Sequence, residues 1–150
     1  MKRALFAAAL LFGLTVLARA EVCSSITNEV VTVDGRNDEW TGAALKVQPG
    51  DVIMVLAGGT VRFTGLVRSE VTPKGALGGT GRLEMKVGTG TVVPVGDRWV
   101  GAFREPGAVK FRIKGEANND THAAMSGSYT VRLIVVPAST LPPAVKVEAE

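Results

Sequence analysis

Lys114-Gly115-Glu116-Ala117-Asn118-Asn119-Asp120-Thr121-His122 is the most polar stretch between two strongly apolar segments of this 150-residue chain. Carboxylate, amide and backbone carbonyl oxygens crowded on one loop are what a hard cation such as Ca²⁺ requires. Asn118, Asn119 and Asp120 therefore form the candidate metal set, and with Thr121 and His122 they form the candidate ligand-binding set. The same residue types also compose an ordinary solvated connection, because Asn and Asp tolerate left-handed backbone. Only Glu116 and Asp120 bring negative charge, and the spaced acidic pattern of an EF-hand loop is missing.

His122 is the one histidine in the chain, with Asp120 and Ser126 near it in sequence. A nucleophilic serine needs a strained elbow and a base oriented by a buried acid. Met125-Ser126-Gly127-Ser128 shows neither that spacing nor an oxyanion-hole motif, so no catalysis is expected. A blue-copper site is excluded too. It needs two histidines with a cysteine nearby, whereas the single Cys23 lies at the opposite end of the chain. Trp40, in Asn37-Asp38-Glu39-Trp40-Thr41-Gly42, and Trp99, after Asp97-Arg98, are the aromatics able to stack on a sugar ring. Trp40 belongs to the candidate ligand-binding set, and either ring could equally plug the edge of a core.

The elements that must position these residues read as strands throughout. Short runs rich in Val, Ile and Phe recur between Gly, Pro, Asn and Asp. The runs are Glu29 to Val33, Ala43 to Val47, Asp51 to Ala57, Thr60 to Leu66, Leu83 to Val87, Thr91 to Val95, Trp99 to Phe103, Val109 to Ile113 and Ser128 to Val136. Pro49-Gly50 fits a type II turn, Gly58-Gly59 is read as a strand stop, and residues 67–81 as a loop. Charged and apolar residues alternate along several runs, which suits sheets with one face in the core and one in water. The expected fold is all-β: a single-domain antiparallel β-sandwich, jelly-roll-like, with about eight or nine strands.

Lys2 and Arg3, the uncharged run Ala4 to Leu17, and Ala18-Arg19-Ala20 have the layout of a secretory signal peptide. The apolar run is shorter than the roughly 20 residues needed to span a bilayer. Cleavage after Ala20 is expected, leaving a 21–136 sandwich domain, a disordered Pro-, Ala- and Glu-rich tail over 137–150, and no membrane span. The chain would then be exported, to the periplasm or the medium. The 17 Lys and Arg include Lys2, Arg3 and Arg19, so the exported part would carry 14 bases against the 14 Asp and Glu. With net charge zero and cations spread along strands without clustering, nucleic-acid binding is not expected. Cys23 has no partner within the chain, so it is either a free thiol or an intermolecular disulfide.

Three segments carry a family resemblance. Asn37 to Thr41 with Val47-Gln48-Pro49-Gly50-Asp51-Val52-Ile53, then Leu83-Glu84-Met85-Lys86-Val87-Gly88 with Pro94-Val95-Gly96, then Ser126-Gly127-Ser128-Tyr129-Thr130-Val131, resemble in order and rough spacing the bacterial calcium-dependent, galactose-specific lectins. The resemblance spans residues 28–136 and implies a small jelly-roll-like sandwich with calcium and sugar beside the last strand. In those lectins two consecutive asparagines precede the serine-glycine-serine run, whereas Ala124 and Met125 stand here. The family's long loop with sugar-contacting histidine and glutamine is also absent, since Glu70 to Gly81 is short and has neither. The fold is thus implied, while calcium and galactose do not carry over residue by residue.

Together these readings lead to an exported, non-catalytic binding module of lectin-like fold for a glycan or cell-envelope component, with no cofactor required and Ca²⁺ as the one candidate. The alternative is a structural or protein-interaction sandwich, including a homo-oligomer, with no sugar or calcium binding.

Overall fold

The computed structural model describes residues 26–64, 70–115 and 125–142. The expected signal peptide, Cys23 and Leu66 lie outside the described residues. Nine strands follow in order: β1 (Thr27–Asp34), β2 (Thr41–Val47), β3 (Val52–Phe63), β4 (Glu70–Val71), β5 (Leu83–Val87), β6 (Val93–Pro94), β7 (Arg98–Ala102), β8 (Gly107–Ile113) and β9 (Met125–Val136). One antiparallel sheet runs β1-β9-β3-β4, with β7 also paired to β3, and the other runs β2-β8-β5-β6. The expected all-β antiparallel sandwich is the observed fold.

Period-two alternation builds both layers. In β8, Val109, Phe111 and Ile113 are buried while Lys110 and Arg112 alternate with them, half-buried on the other face. In β5, Leu83, Met85 and Val87 face inward beside them. Ile53, Val55 and Val61 of β3, with Tyr129, Val131 and Leu133 of β9, close the core from the five-stranded sheet. Each fully buried aliphatic or aromatic side chain contributes about 1.5–3 kcal/mol by leaving water.

Gly58-Gly59 does not stop a strand, contrary to the sequence reading. β3 runs through it and pairs with β9 over its full length, Gly58 opposite Thr130 and Gly59 opposite Tyr129. Gly59 takes a φ of 101°, and a Cβ there would stand 2.6 Å from the Ser128 carbonyl oxygen. The glycine marks a close backbone approach rather than a break. The expected 67–81 loop contains β4 and a 3-10 turn at Leu77–Gly79, and the expected 91–95 strand shrinks to Val93–Pro94.

Polar anchors hold the connections. Asp51 is buried at the Pro49-Gly50 turn, where Gly50 has the positive φ (87°) the turn needs. One Asp51 oxygen accepts the Gln48 amide at 2.8 Å and the other the Ala138 amide at 3.0 Å. The latter bond fixes a 3-10 turn, Ala138–Thr140, within the segment expected as tail. The buried Tyr129 hydroxyl sits 2.7 Å from the Gly81 carbonyl and 2.9 Å from that of Thr72, tying the 70–81 segment to β9.

One side of the sandwich is fastened. β2 loses regular register with β8 between Gly42 and Lys46, which frees backbone amides from the ladder. Glu29 of β1 accepts two of them, from Ala44 and Leu45. At the other end of the sheet orders stand β6 in one sheet and β4 in the other, with β7 also paired to β3.

Candidate functional site

The open side between β6 and β7 forms a groove of about 650 Å³, within the size range of small-ligand sites. Trp99 and Phe103 are its aromatic floor, their ring centroids 5.4 Å apart at 33°. Both are half-buried, packed on the core along one side and bordering the groove along the other. The indole lies across Gly101, where an added Cβ would meet it at 2.6 Å. Thr91, Arg104 and Glu105 bring polar groups to the walls. An aromatic platform beside hydroxyl, guanidinium and carboxylate groups suits a sugar, whose C–H faces pack on rings while its hydroxyls hydrogen-bond.

A second polar constellation covers the outer face of the four-stranded sheet. Glu84 is only 5% exposed and accepts from Arg112 Nε at 3.1 Å, from Arg112 Nη2 at 3.0 Å and from Arg82 Nη2 at 3.4 Å. Trp40, just before β2, lies against the same surface. Lys86 Nζ stands 4.3 Å from its ring centroid and Arg112 Cζ 4.6 Å, both cation–π distances.

Trp40 is thus half-buried on the wet face of a sheet, under two cations, and not in the core cluster. The structure does not bring it together with Trp99, which floors the groove. Asn118, Asn119, Asp120, Thr121 and His122 lie outside the described residues. Met125, one of the two residues standing where the resembled lectins carry asparagine, is 1% exposed and faces the core beside Phe63. A core methionine does not fit a calcium-ligand position.

Sequence reading left Phe103, Thr91, Arg104 and Glu105 unassigned. Trp99, Gly101 and Phe103 fall on one face at strand period, and this aromatic-glycine-aromatic pattern was the available signal. The reading of unclustered cations is corrected by the pairing. β5 and β8 place Arg82, Lys86, Lys110, Arg112 and Lys114 on one surface.

No protein-family model matches the chain, and no curated protein matches it. Among solved structures, it is similar to one described as "EclA N-terminal domain; PllA-like lectin", with a TM-score of 0.60 and 21% identity. The match covers 71% of this chain and 94% of that one. The fold is lectin-like. At this identity the likeness bears on architecture, and the residues that could bind must be taken from this chain's own surface.

Proposed function

We propose that this chain is an exported, non-catalytic carbohydrate-binding module that holds a neutral sugar of a glycan or envelope polymer in the groove between β6 and β7. The observation that carries the reading is the Trp99–Phe103 floor with Thr91, Arg104 and Glu105 at its walls, on a lectin-like sandwich. The test is a glycan array followed by calorimetry on the best hit, with Trp99→Ala alongside. Saturable binding lost in the variant supports the groove, and an array without signal rejects it. A calcium site on Asn118, Asn119 and Asp120 belongs to the same proposal as a separate arm. Calcium and then EDTA should shift the melting temperature if that set binds the ion, and leave it unchanged otherwise.

A second reading, a protein-interaction sandwich, is favoured by the outer face of the five-stranded sheet. Val30 and Val100, each 56% exposed, and Leu56, 40% exposed, lie there. Sedimentation showing a stable oligomer, with an array without signal, would favour it.

A further inference from the structure

The β5–β8 register sets three pairs of outward side chains across from one another. Glu84 faces Arg112 and Lys86 faces Lys110. The ladder extends one step further through the Lys114 amide, which donates to the Arg82 carbonyl, so Arg82 and Lys114 form the third pair. Two of the three pairs are therefore like-charged, an arrangement that destabilises a sheet. Among the described residues, the salt bridges of these five cations all end on Glu84. Lys86 rests on the Trp40 ring and Lys114 Nζ donates to the Gly78 carbonyl at 3.3 Å, and among the described residues neither forms a salt bridge. With outward residues two positions apart, the cations span about 14 Å along the strands.

We propose that this outer face of the four-stranded sheet binds an acidic polysaccharide, a sugar chain bearing carboxylate or sulfate groups. A surface that, among the described residues, retains two repulsive pairs around one carboxylate gains both binding energy and relief of repulsion from a polyanion laid along it. The occupant is a sugar polymer rather than a nucleic acid because the surface is a flat pleat. It projects no helix or ribbon into a DNA groove. Among the described residues its aromatic is Trp40, which is held under Lys86 and Arg112 and offers no stacking platform to bases. The face is distinct from the groove residues, so this proposal stands independently of the groove reading.

The experiment passes the purified chain over immobilised heparin, polygalacturonate, neutral dextran and DNA, single-stranded and duplex, in low and high salt. Retention on a sulfated or carboxylated polysaccharide, released by salt and absent on dextran, is expected. Lys110→Glu should weaken the interaction about tenfold or more. Its melting temperature should stay equal or rise, because the substitution sets an anion opposite Lys86. Lys110→Gln should weaken binding less, and Trp99→Ala not at all. No salt-sensitive retention on either acidic polysaccharide, DNA held as tightly as the polysaccharides, or undiminished binding in both Lys110 variants would each overturn the proposal.

Discussion

Glu29 of one sheet accepts the Leu45 amide of the other at 2.9 Å, while its second carboxylate oxygen accepts the Ala44 amide at the same distance. A single side chain thus replaces the ladder bonds that β2 loses at its irregularity, and it closes one side of the sandwich. Glu29→Ala should lower stability by about 1–2 kcal/mol, as loss of hydrogen bonds to a partly exposed charged acceptor does. Urea denaturation would measure it, and an unchanged midpoint would show that water satisfies those amides equally well.

Gly58 and Gly59 are adjacent and should respond in opposite ways. An added Cβ meets nothing within 4 Å at Gly58, whereas at Gly59 it meets the Ser128 carbonyl oxygen and a positive φ. Gly59→Ala should cost more than about 2 kcal/mol, and Gly58→Ala should be within about 0.5 kcal/mol of the parent. Thermal melts of the two variants side by side would decide it. Equal losses would contradict the close approach.

Tyr129 makes stability depend on alkaline pH. Its burial raises the phenol above its ordinary range. Below about pH 10 the hydroxyl is protonated in both folded and unfolded chains. Above that, the unfolded chain releases a proton that the folded chain keeps, so this contribution falls as pH rises. Tyr129→Phe should be less stable by about 1–3 kcal/mol at neutral pH, having left buried carbonyls without their donor. The gap should narrow above about pH 10. Paired urea titrations at neutral and alkaline pH would reveal a gap that fails to narrow.

Gly101 offers a test of the groove that spares its polar groups. Gly101→Ala places a methyl where the indole of Trp99 lies and must displace that ring. Sugar affinity should fall about tenfold, with the far-ultraviolet circular dichroism of the sheet retained. Calorimetry against the best array ligand would show it. Unaltered affinity would mean that the ring is not the platform.

How much of this was legible in the sequence depends on the range of the interaction. The alternation Val109-Lys110-Phe111-Arg112-Ile113 specified a strand and its buried face by local chemistry alone. Which strand lies beside it is a long-range fact, so cations that look dispersed along β5 and β8 become one surface only through their pairing. Gly58-Gly59 was misleading because a glycine pair signals a turn as readily as it signals two backbones in close contact. Trp40 and Trp99 were recognisable as candidate platforms, but their contexts differ for reasons of register. One lies on the wet face of a sheet, and the other floors a groove between sheet edges. The 118–122 set stays where residue type alone puts it, outside the described residues.

The central pair of the larger sheet joins residues 52–63 to residues 125–136. β9, which follows every other described strand in the chain, is therefore the neighbour that both β1 and β3 require. A chain emerging N-terminus first holds β1 unpaired, and β3 with only β4 and β7 on one of its edges, until that strand arrives, and closing so long a loop is slow. Completion of the larger sheet must then wait for its last described strand, and until it is delivered the bare edges of β1 and β3 are open to pairing with other chains.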